Sequence, residues 1–217
     1  MSDAPRRTAW LTLFGVAFGL LEAAVVVYLR ELYYPQGFDF PIVIIVDRVA
    51  LVELIRELMT LLMLVAVAMV AGRDRMDRFF IFAFLFGVWD IVYYVGLRVF
   101  LGWPESLMTW DVLFLIPVPW LGPVIYPVIV SVFLIAGFVV HERMHANGLA
   151  VRLTVGEWGV AWLGALTIIV AFCWNWRAVA AATVPESFPA TMFAVGLVAG
   201  VGPFVRAGLR SGGIHSR

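Results

Sequence analysis

Four carboxylates, Glu22, Glu53, Glu57 and Asp90, stand in stretches otherwise apolar enough to exclude water. Asp90 lies near the middle of FGVWDIVYYVGLRVF, Phe86 to Phe100, with Trp89, Tyr93 and Tyr94 beside it and Arg98 two turns later. Residues three and four apart share a helix face, so Glu53, Arg56 and Glu57 belong together, as do Asp90, Tyr93 and Tyr94. In this zone four acids face two bases, Arg56 and Arg98. An uncompensated carboxylate in hydrocarbon is costly, so it takes up a proton, meets a cation or borders water. Protonated, such acids suit general acid catalysis or a proton relay. Ionised, four oxygens from three helices suit a hard divalent cation such as Mg²⁺, Ca²⁺ or Mn²⁺. Glu22, Glu53, Glu57 and Asp90 are therefore the candidate acid–base groups, and Arg56, Arg98, Tyr93, Tyr94 and Asp111 the candidate substrate-binding groups. A buried ion-pair network that fixes helix register is the simpler account of one Glu–Arg pair. Four acids on three helices with two arginines favour a functional site, the default for intramembrane ionisable residues.

The elements that carry these residues follow from hydropathy. The 217 residues are 63% hydrophobic and 14% charged, with a mean hydropathy of +0.98; soluble domains carry about a quarter charged residues. The expected fold is an all-α integral membrane bundle, residues 1–217 forming a single polytopic domain. A span needs about 20 mostly apolar residues. Six stretches qualify: Thr8 to Leu29, Arg48 to Ala71, Phe79 to Leu101, Leu121 to Val140, Glu157 to Trp176 and Phe188 to Val205. The run after Arg6 and Arg7 is too long for a signal peptide's apolar region and contains Glu22, so it reads as a retained first span. Arg6, Arg7, Arg73, Arg75, Arg78, Arg143, Arg152, Arg206, Arg210 and Arg217 fall on one side, which the positive-inside rule makes cytoplasmic, with both termini. At a rise of about 1.5 Å per residue, Asp90 sits near the midplane and Glu57, Glu22 and Glu53 progressively further out. All four then lie in the outer half of the bilayer.

Two outer segments break the pattern. Phe38 to Val46 (FDFPIVIIV) is apolar but too short to span, and Asp47 reads as the N-cap of the second helix. Trp110 to Pro127 (WDVLFLIPVPWLGPVIYP) carries Pro117, Pro119, Pro123 and Pro127, each hostile to helix geometry. Non-helical backbone at membrane depth is tolerated only where protein or a water cavity covers it, so this proline-broken, partly re-entrant segment is expected to cap or line a site. Asp111, at its start, reads as a rim residue, either a helix cap or an entrance group. Trp103, Trp110, Trp120, Trp174 and Trp176 read as an interfacial belt. Gly15 with Gly19, and Gly196 with Gly200, have helix-packing spacing.

Several chemistries drop out. Every basic residue apart from the histidines is arginine, so no lysine is present for Schiff-base chemistry, and pyridoxal phosphate is not expected. Cys173 is alone, which removes an internal disulfide and a thiolate zinc cage. The stretch His141-Glu142-Arg143-Met144-His145 matches the His-Glu-x-x-His zinc pattern, with Asp74, Asp77 or Glu157 as third-ligand candidates. Its place at a helix C-terminus, just before Asn147-Gly148, reads instead as favourable cationic side chains near a helix end. His141, His145 and His215 share the cytoplasmic side, so bis-histidine haem is not expected, nor is flavin. Net charge is zero with interleaved signs, and no nucleic-acid partner is expected.

Trp89-Asp90-x-x-Tyr93-Tyr94, Gly102-Trp103-Pro104 and Trp110-Asp111-x-x-Phe114-Leu115-Ile116-Pro117-x-Pro119-Trp120 resemble a family of bacterial multi-pass membrane proteins, over the first four helices. The resemblance implies a bacterial inner-membrane setting and no particular reaction. Prenyl-endopeptidase-like membrane proteases, with His on two helices inside the membrane, fit less well. The function expected is acid–base or metal-assisted chemistry on a lipid or isoprenoid in a pocket open to the outer leaflet. A proton- or cation-coupled transporter and an accessory subunit of a membrane complex are the alternatives. Membrane lipid is the expected partner, with a homo-oligomer or a membrane partner protein beside it.

Overall fold

A computed structural model describes residues 3–33, 48–181 and 183–213. The segment from Phe38 to Val46, the cap Asp47, and Arg217 and His215 lie outside the described residues. Six long helices are present: α1 (Asp3–Tyr33), α2 (Arg48–Ala71), α3 (Arg75–Leu101), α4 (Ile125–Ala146), α5 (Val155–Cys173) and α7 (Ala190–Gly213). The short α6 (Trp176–Ala180) follows α5. All six long helices are apolar enough to cross a membrane, as in a polytopic membrane protein. Large apolar side chains such as Val70, Trp162, Leu163 and Val198 face outward on them. In water that exposure would be costly; in lipid it costs nothing.

The most buried helix is α3, because its apolar residues run all the way round it. It packs against α1, α2 and α4, while α5 pairs with α7. Phe80, Ile81, Phe84, Leu85, Val88 and Trp89 of α3 form the main core with Leu11 and Phe18 of α1, Leu64 of α2 and Phe138 of α4. Close approach of α1 needs Gly19, where an added Cβ would come within 2.8 Å of the Trp89 carbonyl oxygen. Between α5 and α7, Gly196 meets Gly164, and a Cβ on Gly164 would lie 2.2 Å from the Gly200 nitrogen. Glycine packing at Gly15, Gly19 and Gly196 follows the expected spacing; Gly164, the tightest, has no such partner in its own helix.

The proline-rich segment is non-helical, as expected, but it forms a β-hairpin. Strands β1 (Trp110–Phe114) and β2 (Trp120–Pro123) pair antiparallel, Asp111 opposite Gly122 and Val112 opposite Leu121, with an irregularity between Val112 and Phe114. Leu121 to Pro123 were expected to open the fourth span; they end the hairpin instead, and α4 starts at Ile125. The prolines explain this, since Pro117 and Pro119 fall in the connection and Pro123 at a strand end, where no ladder donor is required. A second core cluster, Phe172 and Phe193 with Leu113, Trp120, Tyr126 and Phe188, seats the hairpin on α4, α5 and α7.

The opposite end is held by polar contacts. Asp77 accepts hydrogen bonds from Arg7 and Arg73, both of which also reach Glu142. Phe79 packs against Trp158 and Phe204, bringing the start of α5 and the end of α7 to the same end. Asp74 caps α3, Thr154 and Glu157 form a capping box on α5, and α4 stops at Asn147 before Gly148, whose φ is +71°.

Candidate functional site

The face of α2 carries Glu53, Arg56, Glu57 and Thr60, at i, i+3, i+4 and i+7. Arg56 Nη2 lies 2.6 Å from Glu53 Oε2, and Arg56 Nη1 also contacts Glu22 of α1. The Thr60 hydroxyl is placed to donate to Glu22 at 3.3 Å or to the Arg56 carbonyl at 3.0 Å. The cation meeting Glu22 and Glu53 is thus a guanidinium. Glu57 turns elsewhere: it accepts from the backbone N–H groups of Leu115 at 2.8 Å and Ile116 at 3.2 Å, tying the hairpin connection to α2.

On α3, Asp90 is buried and accepts a hydrogen bond from Ser131 of α4 at 2.8 Å. Among the described residues it makes no ion pair. Tyr94 is buried and donates to Asp111 at 3.1 Å. Tyr93 stacks on Trp89 and meets Tyr94 edge-on. Arg98 does not join them: it is exposed and donates to the carbonyls of Gly102 and Pro104, closing the loop after α3. The i, i+4 offset from Tyr94 placed it correctly along the helix, but the glycine at the helix end offered nearer acceptors.

Asp111 differs most from its expected place. It is 3% exposed, within β1 and not a helix cap, with Arg30 Nη2 at 3.9 Å and the Arg30 guanidinium 3.7 Å above Trp103. Burial pushes its carboxyl up from 3.8 to about 6, although Arg30, the Tyr94 hydroxyl and its bond with Val112 pull the other way.

These groups surround a cavity of about 650 Å³. Glu22, Arg30, Glu53, Arg56, Glu57, Thr60, Asp90, Tyr93, Tyr94 and Asp111 line it on the polar side. Phe82, Phe86, Leu134, Ala165, Ile169 and Phe172 line the apolar remainder. Arg98 is not part of the lining. Three polar groups had not been read as part of the site. Thr60 continues the Glu53–Arg56 stripe by one turn and Ser131 is the one serine in a largely apolar helix, so both left a signal. Arg30 reads in the sequence as an arginine at the outer end of the first span, but nothing local pointed to its partner Asp111, 81 positions away.

Among the described residues, three possible metal-ligating atoms converge within 4.8 Å only at the other end, on Asp77, His141 and Glu142. His145 is not in that group, and Arg7 and Arg73 already occupy both carboxylates. The cavity carboxylates form no such triple, so the hard-cation expectation finds no ready ligand set there. Compared with known proteins, the chain matches no family model, no curated protein and no solved structure.

Proposed function

We propose that the chain is a polytopic protein of the bacterial cytoplasmic membrane, both termini in the cytoplasm, that holds an amphipathic lipid or isoprenoid and exchanges a proton with it. The observation that carries this reading is a cavity of ligand-binding size lined both by carboxylates from three spans and by apolar side chains. Its placement in the membrane is supported by the arginine asymmetry and by the six apolar helices. Asp90 is the proton-exchanging group, because among the described residues its one hydrogen-bond partner is a neutral hydroxyl. Glu22 and Glu53 are oriented by Arg56, Glu57 by the hairpin backbone, and Tyr93, Tyr94 and Asp111 shape the wall nearest the hairpin. Arg56 acts through the two glutamates that it bridges.

The test is native mass spectrometry of wild type and Asp90→Asn released from a mild detergent, with turnover of membrane lipid extracts followed in parallel. The expected result is a bound amphiphile in wild type and product formation that Asp90→Asn lowers by at least about a hundredfold, the scale of a lost acid–base group. Equal turnover by both proteins would remove Asp90 from the chemistry. A wild type that carries no amphiphile would overturn the binding role as well.

A further inference from the structure

We infer that the occupant of this cavity is a single-chain amphiphile with a cationic head, admitted sideways from the bilayer between α2 and α5. The inference rests on the amphiphile-binding reading above and adds the class of ligand and its route.

The route follows from which helices pack. Glu53, Arg56, Glu57 and Thr60 of α2, and Ala165, Ile168, Ile169 and Phe172 of α5, all line the cavity. Packing joins α2 to α3, and α5 to α7 and β2, but among the described residues no extended packing joins α2 to α5. Glu53, Arg56, Glu57, Ala165 and Ile169 are accordingly only half-buried. A gap between two membrane spans, at the depth of a cavity that both line, faces lipid chains.

The size of the ligand follows from volume. At a water-like share of about 30 Å³ for each non-hydrogen atom, 650 Å³ holds on the order of twenty such atoms. That is the room of one acyl or prenyl chain and a small head, so the second chain of a diacyl lipid would have to stay outside the cavity.

The head follows from charge. Among the described residues five carboxylates line the cavity, Glu22, Glu53, Glu57, Asp90 and Asp111, against two guanidinium groups, Arg30 and Arg56. Both guanidiniums already face carboxylates, Arg30 that of Asp111 and Arg56 those of Glu22 and Glu53. A phosphate or carboxylate head would add to an excess of acid in a poorly solvated site. An ammonium supplies the missing positive charge and N–H donors. The ring wall formed by Phe86, Trp89, Tyr93, Phe114 and Trp120 is also suited to a cation.

The test uses the full chain in phosphatidylcholine nanodiscs, titrated with hexadecylamine, hexadecyl phosphate or phosphatidylethanolamine, with adducts counted by native mass spectrometry. One hexadecylamine per chain is expected, half-saturating at a mole fraction about tenfold below hexadecyl phosphate, a modest value for one charge reversal in a partly buried site. Glu53→Gln should weaken the amine by about tenfold and leave the phosphate unchanged or tighter, and Ala165→Trp should abolish binding of the amine. Glu53 is half-buried, so its variant carries the charge test even if Ala165→Trp fails to accumulate. Hexadecyl phosphate binding as well as the amine would overturn the cationic head and leave the amphiphile reading standing. A one-to-one phosphatidylethanolamine adduct that matches the amine would overturn the single chain. If neither single-chain probe saturates, the amphiphile reading falls with the inference.

Discussion

Asp111 shows how one side chain can report on the site. Its carboxyl, pushed up from 3.8 to about 6, holds a proton in the folded protein over a range where the unfolded chain has released it. The stability this confers is complete below about 3.8 and is lost as pH rises through about 6. A rise of that size is worth up to about 3 kcal/mol. Thermal unfolding in detergent from about pH 4 to 7 should therefore show wild type losing stability relative to Asp111→Asn as pH rises. Parallel curves for the two proteins would mean that Asp111 is solvated and not sealed under the hairpin. Both the spacing and the residue types of Glu53, Arg56 and Glu57 were legible in the chain, since helical periodicity alone places them on one stripe. That Glu57 would turn away from Arg56 to the hairpin backbone was not legible, because its acceptor atoms answer two donors 58 and 59 positions distant.

At the scale of elements, the hairpin is held over the cavity by that same side chain. Glu57→Ala leaves the Leu115 and Ile116 N–H groups without their acceptor, a loss of about 1–3 kcal/mol if they stay out of water. The expected outcome is faster hydrogen exchange at Leu115 and Ile116, with protection in α4 unchanged. Unaltered exchange at those two amides would show that the hairpin is seated by Trp120, Phe172 and their neighbours alone. Prolines 117, 119, 123 and 127 announced a helix break, and the break is there. They did not announce strands, because pairing between Trp110–Phe114 and Trp120–Pro123 depends on where the chain folds back, and WDVLF and WLGP alone lack a strong strand signature.

At the scale of the whole molecule, the two ends of the bundle are built on different terms. One end carries an acid-rich cavity; the other is closed by Asp77 with Arg7, Arg73, His141 and Glu142, and by the rings of Phe79, Trp158 and Phe204. Asp77→Ala leaves two guanidinium groups short of a buried acceptor, with Glu142 still facing both, and should cost about 1–3 kcal/mol, read as an earlier unfolding transition in detergent. Amphiphile binding at the far end should survive it below that transition; its loss would mean that the two ends are coupled through α3. The residue order alone determined the six long apolar helices, the break at the prolines, the gathering of arginines toward one end, and the shared helix face of Glu53, Arg56 and Glu57. Each is set by composition or by a local period, and neither needs a distant partner. Only the tertiary structure decided that Arg56 would bridge Glu22 and Glu53, that Ser131 would meet Asp90, and that Asp111 would be buried beside Arg30. It also decided that residues of α2 and α5 would line one cavity. Helical periodicity specifies which face a side chain occupies, but the facing partner depends on how the helices rotate and pack, and that depends on the whole set of contacts.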